Sequence, residues 1–259
     1  MMKPPYELNT SIIKLITSIS EKIGEIRASF IDKPSPQLTK QNKVKTTPST
    51  LKIEGNALTE EQITALIENK RVLGPQKDII EVKNAIKVYD QIQNFSPFSE
   101  KSCLSAHKIL MEGLVKKPGF YRNDNVGIVQ GNKVAHLAPP ALRVPHVMQD
   151  LFSYLKNEDE ITLIKSCVFH YEVEFIHPFM DGNGRMGRLW QTVILMSEYP
   201  VFEFLPFETL INKEQEKYYE ALSKSDSSTP FIEYILEVIQ TSLDDLLDVK
   251  EHCSQQKID

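Results

Sequence analysis

Apolar positions recur at helical spacing along most of this chain. Leu8, Ile12, Leu15, Ile16, Ile19, Ile23, Ile26 and Phe30 predict a long amphipathic helix over 8–31, whose stripe must pack on the main body or on a second copy. Residues 32–48 are polar, include Pro34 and Pro36, and read as a linker or surface loop. Pro48 suits a first helical position and Gly55 a stop, so about two turns of helix precede Asn56. Thr59 and Gln62 match a capping box, opening a helix to about Arg71 that Gly74 and Pro75 end. Further helices are predicted over 78–94, 99–114, 144–155, 212–225 and 231–247, with a frayed tail from Lys250. Leu163, Ile164, Cys167, Tyr171, Phe175 and Ile176 mark a helix that stops near His177, because Pro178 disfavours helical backbone in the residue before it. Met186, Leu189, Trp190, Val193, Ile194 and Ser197 mark the next, ended near Pro200. Only 118–140 departs from this period. Val126, Ile128, Val134 and His136 flank Gly131-Asn132, a two-residue hairpin turn. The fold class is all-α with one small β-hairpin, which must lie against the helical body because a lone hairpin is marginal.

Composition narrows the picture. With 259 residues, 41% of them hydrophobic, the chain can bury one sizeable core and carry a helical appendage. A net charge of −5 gives no electrostatic case for nucleic acid or an anionic membrane. Cys103, Cys167 and Cys253 have no paired spacing and read as thiols in a reducing compartment. No signal peptide opens the sequence and no run is long enough for a bilayer, so a soluble cytoplasmic protein is expected.

The densest chemistry lies in the turn between the two central helices, His177-Pro178-Phe179-Met180-Asp181-Gly182-Asn183-Gly184-Arg185-Met186-Gly187-Arg188. A glycine-rich turn feeding a helix start offers free backbone N–H groups that a ligand can approach closely, which makes an anion site. Arg185 and Arg188 share one face of the first turns. Cations there oppose the helix dipole, which points to a polyanion between them and the N–H groups; a phosphate chain fits. Asp181 is placed to hold Mg²⁺ on such phosphates, since that ion takes few protein carboxylates and shares substrate oxygens. His177 titrates near neutrality and can take a proton from a hydroxyl. Plainer readings stand beside this one. Such turns often only connect helices, first-turn arginines are often solvated, and a lone histidine is usually structural. A zinc site from His170, His177 and Asp181 is disfavoured, because seven residues on one helix separate the histidines by roughly 10 Å along its axis.

The stretch fits His-Pro-Phe-x-Asp-Gly-Asn-Gly-Arg-x-x-Arg at every fixed position and so resembles the signature of the Fic family. The resemblance implies a Fic-type all-α bundle with a hairpin flap beside the catalytic loop. It divides the chain into an N-terminal helix (1–31), a linker (32–48), an inhibitory helix with N-terminal helices (49–100), a catalytic core (101–230), and a C-terminal helix and tail (231–259). It implies transfer of AMP from ATP to a Ser, Thr or Tyr hydroxyl of a target protein, self-modification included. His177 would be the base and Asp181 the Mg²⁺ ligand. Gly182, Asn183, Gly184, Arg185, Met186, Gly187 and Arg188 would bind the nucleotide, Asn183 at the α-phosphate. Tyr218 and Tyr219 would line the adenosine pocket. Asp226 stands where the family often has Asn, a departure that weakens that contact. Thr50 and Glu54 resemble the inhibitory motif Ser/Thr-x-x-x-Glu-Gly/Asn of the class that carries it N-terminally. Glu54 would pair with Arg188 and occupy the place of the γ-phosphate. Val126, Gly127, Ile128 and Val129 would form the flap edge that registers the target by main-chain pairing. Gly119, Phe120, Tyr121, Arg122, Pro139 and Pro140 also sit where the family carries similar residues.

Three rivals stay open. The chain would remove AMP if Glu54 oriented a water. It would transfer UMP or another phosphate-bearing group if the loop reads phosphates and not the base. It would be a nucleotide-sensing interaction module if its catalysis is residual. The complete set of His177, Asp181, Asn183, Arg185 and Arg188 argues against the last, because binding alone does not require it. The N-terminal stripe leaves a homodimer open.

Overall fold

The computed structural model describes residues 4–29, 46–130, 133–157, 159–224 and 227–255. Most of the predicted linker, the turn residues Gly131 and Asn132, and Asp226 lie outside them. Helix α1 (Thr10–Ser29) carries the predicted stripe, with Ile12, Ile19, Ile23 and Ile26 buried. The stripe is covered by the closing helix α11 (Thr229–Gln255), not by a second copy. Lys22 pairs with Asp244, and Gln240 Nε2 donates to Ser18 Oγ at 2.8 Å. The surface that left a homodimer open is therefore used within the chain. Helix α11 also continues through Gln255, past the expected fraying at Lys250, since no glycine or proline interrupts it beyond its first turn.

Residues 46–53 form α2, so the end of the predicted linker is already helical. Helix α3 (Glu60–Ile67) opens on the predicted capping box: Thr59 N–H donates to Gln62 Oε1 at 2.9 Å and Gln62 N–H to Thr59 Oγ1 at 3.3 Å. Helix α4 (Gln76–Tyr89) is shorter than the period suggested and gives way to a 3₁₀ turn at Ile92–Asn94. It packs on α5 (Glu100–Leu110), capped by Ser99. A two-stranded ribbon follows. Strand β1 (Gly127–Gln130) runs antiparallel to β2 (Lys133–Leu137), Gly127 opposite Leu137, with a bulge between Ile128 and Val129.

Helix α6 (Val144–Leu155) leads to the central pair, α7 (Thr162–Ile176) and α8 (Asn183–Met196). Both members are buried around most of their girth, which is why their apolar residues do not form a narrow stripe. They lie close because residue 187 is glycine: a Cβ there would stand 2.4 Å from His170 Cδ2. Phe152 of α6, Phe169 of α7 and Trp190 of α8 form an aromatic wedge, with ring centroids 5.4 to 6.5 Å apart. The single helix expected over 212–225 is two, α9 (Glu208–Lys213) and α10 (Gln215–Ser223). Glu214, at φ −120° and ψ 39°, leaves the helical region and turns the chain. Among the described residues no helix is long and apolar enough to cross a membrane.

Candidate active site

The loop between α7 and α8 is built from its backbone outward. His177 ends α7 with φ 51° and ψ 59°, in the left-handed region. Pro178 denies it ordinary helical backbone, and an L-residue held there stores on the order of 1 kcal/mol or more. Arg122, 3% exposed, holds the strained corner. Its Nε donates to the His177 carbonyl at 2.7 Å, its Nη2 to the carbonyls of Ile176 and Pro139, and its backbone N–H to the Pro178 carbonyl at 2.9 Å. Phe179 is buried under His107, the two rings nearly parallel at 3.7 Å. His107 Nδ1 accepts from Gly119 N–H at 2.9 Å, so Nε2 carries the ring proton and donates to the Asp181 carbonyl at 3.1 Å. Burial pulls the pKa of His107 down to about 4 and keeps it neutral.

Gly182 has φ 84°, and a Cβ there would meet Met111 Sδ at 2.6 Å. Both requirements demand glycine. The Asn183 side chain closes the loop on Phe179, accepting from its N–H at 2.8 Å and donating to its carbonyl at 3.0 Å. That amide is used inside the loop, which weakens the expectation of an α-phosphate contact from it. Met186 N–H makes the first helical bond, to the Gly182 carbonyl at 3.0 Å. The N–H groups of Asn183, Gly184 and Arg185 precede it, as orphan donors of a helix start.

The two arginines are placed differently. Arg188 is fully buried and turned onto α2. Its Nε donates to Thr50 Oγ1 at 3.0 Å, and its Nη2 to Glu54 Oε1 at 2.6 Å and the Thr50 carbonyl at 3.3 Å. Burial works against its charge most strongly, but Glu54, Tyr218 and Glu174 together outweigh it and raise its pKa. Arg185 is 4% exposed. Its Nη1 forms an ion pair with Glu81 Oε1 at 3.4 Å and its Nη2 one with Asp181 Oδ1 at 3.3 Å, while among the described residues Nε and Nη1 make no hydrogen bond. A buried cation with unfilled donors is poised for an anion. Glu81 also accepts from Asn56 Nδ2 at 2.9 Å and so ties the end of α2 to Arg185. A Cβ on Gly184 would stand 2.6 Å from Glu54 Oε1, so the α8 start and α2 meet at this point.

The His177 imidazole sits beside these donors. Among the described residues its buried Nδ1 has no well-formed hydrogen bond, although the Glu174 backbone approaches the ring. Burial lowers its pKa, which favours the neutral imidazole, and the backbone of Glu174 opposes that shift. Asp181 Oδ1 accepts from Gly182 N–H at 2.6 Å, and the side chain is 45% exposed. Among the described residues no three His, Cys, Asp or Glu side chains gather into a metal-binding group. His170 instead bonds Gln191 and Tyr218, inside the core.

The expected tyrosine pair is split. Tyr218 is 1% exposed, with its Oη 3.0 Å from His170 Nε2 and 3.1 Å from Glu174 Oε1. Tyr219 is 39% exposed, its ring centroid 5.1 Å from that of Tyr218. Val126 is half-buried and Gly127 exposed at the start of β1; Ile128 and Val129 continue the strand. Sequence reasoning missed His107, Glu81 and Glu174 and gave Arg122 no task. His107, Glu81 and Arg122 reach the loop from distant segments, and Glu174, though only one turn before His177, is an isolated polar residue on a helix; neither carries a local signal.

The Fic/DOC family model matches residues 97–195, which contain this loop and both flanking helices. The crystal structure of a Fic family protein from Desulfovibrio desulfuricans G20 superimposes with a TM-score of 0.89 at 42% identity, over 96% of this chain and 78% of that one. A probable protein adenylyltransferase of Aquifex aeolicus is 33% identical over 132 residues, 49% of this chain and 37% of that protein. A protein adenylyltransferase Fic of Nematostella vectensis is 26% identical over 208 residues, 74% of this chain and 46% of that protein. The chain thus spans less than half the length of these two curated relatives.

Proposed function

This chain belongs to the Fic/DOC family, and we propose that it is a protein adenylyltransferase restrained by its own Glu54. Arg188 carries the reading: a fully buried guanidinium beside a helix start, with Glu54 and Thr50 where a phosphate would sit. In the active state the ATP phosphates lie over the orphan N–H groups at Asn183, Gly184 and Arg185. Arg185 offers its Nε, with Nη1 beside Glu81, and Arg188 exchanges Glu54 for the terminal phosphate. Tyr218 and Tyr219 flank the adenosine. The edge of β1, from Val126 to Val129, receives the target segment by main-chain pairing.

A hydroxyl oxygen of the target then attacks the α-phosphorus. The bond from that phosphorus to the bridging oxygen breaks, and pyrophosphate leaves. The hydroxyl proton passes to His177 Nε2, a contribution of roughly 10²- to 10⁴-fold. Negative charge on the phosphorus oxygens meets N–H groups already in place, which is usually the larger effect. Asp181 fits a Mg²⁺ shared with substrate: Oδ1 is engaged by Gly182 and Arg185, and no partner engages Oδ2. One carboxylate oxygen suits an ion that takes its remaining ligands from phosphates and water, and the bound ion would supply charge neutralisation there.

The test is intact mass and label transfer for the Glu54→Gly chain incubated with Mg-ATP, alone and with candidate target proteins. Label from α-labelled ATP should enter protein and label from γ-labelled ATP should not. Absence of α-label under all these conditions overturns the reading.

A further inference from the structure

Glu174 has no part in the chemistry above, yet it stands at its centre. It lies on α7 one turn before His177. Its Oε1, Glu54 Oε1 and Arg188 Nη1 lie 3.0, 2.6 and 3.2 Å from the point where a Cβ on Gly184 would stand. Two acids therefore flank one guanidinium at the start of α8.

Tyr218 Oη donates to Glu174 Oε1 at 3.1 Å and lies 3.0 Å from His170 Nε2. Burial and then the Glu54 carboxylate beside it raise the Glu174 pKa to about 7, against the Arg188 guanidinium and the Tyr218 hydroxyl, which favour the charged form. The charged and titratable groups facing Glu174 are Glu54 just after α2, Arg188 on α8, and Tyr218 and Tyr219 on α10, with His170 and His177 on its own helix and cap.

We propose that Glu174 is a specificity-determining residue of the nucleotide site, an uncharged acid whose neutrality lets the terminal phosphate of a nucleoside triphosphate replace Glu54 on Arg188. Ionised, Glu174 competes for Arg188 and repels the phosphate. Neutral, it leaves the guanidinium to the ligand. Triphosphate binding is therefore coupled to a proton on Glu174, whereas a nucleoside monophosphate places nothing at Arg188 and escapes the coupling. The inference rests on the exchange of Glu54 for phosphate proposed above.

The test uses the full chain carrying Glu54→Gly, with and without Glu174→Gln, and measures Mg-ATP and AMP binding by calorimetry from about pH 6 to about pH 8.5. The ratio of the two variants' affinities cancels the ionisation of the nucleotide. For Mg-ATP, the chain with Glu174 should lose affinity relative to the Gln variant as pH rises, approaching about tenfold per pH unit beyond the titration. Removing Glu54 takes away one cause of the raised pKa, so the loss begins below pH 7. For AMP the ratio should stay flat. Should the Gln variant misfold, Glu174→Ala, also uncharged, carries the same expectation. Identical Mg-ATP profiles with binding intact overturn this inference alone. Failure of the Glu54→Gly chain to bind Mg-ATP at any pH overturns the proposed function and this inference together.

Discussion

Glu54 Oε1 stands 2.6 Å from Arg188 Nη2, joining α2 to the second turn of α8 across 134 positions of sequence. A hydrogen bond between two charged groups contributes about 1.5–3 kcal/mol. Glu54→Gly should therefore raise nucleotide affinity and label transfer by roughly ten- to a hundredfold. The same change leaves Arg188 held by Thr50 alone, so the melting temperature should fall while activity rises. Parallel label-transfer and thermal-unfolding measurements check the opposed signs. A flat or reduced transfer rate would remove Glu54 from its restraining role.

His177 carries both the proposed base and a left-handed backbone, and the two can be separated. Asn tolerates that backbone better than most residues. His177→Asn should preserve the fold and Mg-ATP binding while reducing transfer by about 10²- to 10⁴-fold. Binding measured beside transfer in the Glu54→Gly chain reads this directly. Undiminished transfer would mean that another group takes the proton.

Arg122 supplies donors to the carbonyls of His177, Ile176, Pro139 and Asp124 at once. An ammonium has three donors and no fork, so Arg122→Lys leaves some of these carbonyls unpaired, at about 1–3 kcal/mol each. Misplacing His177 lowers the rate more than it lowers nucleotide affinity. The expected result is a lower melting temperature and a transfer rate reduced about tenfold or more, with Mg-ATP affinity within about twofold of the parent. Equal losses in affinity and rate would contradict it.

Glu208 is 1% exposed, and burial raises its pKa to about 7, with Tyr89 donating to it at 3.4 Å. A carboxyl with a raised pKa in the folded chain favours folding fully below its unfolded pKa and loses that contribution as pH rises through about 7. Glu208→Gln removes the charge that must be buried. Its stability relative to wild type should rise between pH 5 and pH 8, by on the order of 1–3 kcal/mol. Denaturant melts at the two pH values check this, and no change in the difference would place the carboxyl in a more polar setting than its burial indicates.

Much of the helical framework was legible because apolar spacing and caps are local. Thr59 with Gln62 and Ser99 appear at their expected places, and α6 runs over the predicted span. The break at Glu214 left no glycine or proline to announce it, so α9 and α10 read as one helix. The loop's dense polar content was legible, but the division of labour within it was not. Asn183 looked like a ligand contact and is spent on Phe179. His107 reaches the Asp181 carbonyl 74 residues away and Arg122 the His177 carbonyl 55 away, and such bonds leave no trace in spacing. The same holds for Glu174, whose meaning depends on Glu54 and Arg188 together.

One guanidinium, that of Arg122, grips both the carbonyl of His177 and that of Pro139, just beyond the end of β2. The ribbon's root and the backbone of His177 therefore share one anchor, the Arg122 guanidinium. Lengthening the stretch between Leu137 and Pro139 by one residue would pull on that anchor and so displace the imidazole without altering a single atom of it.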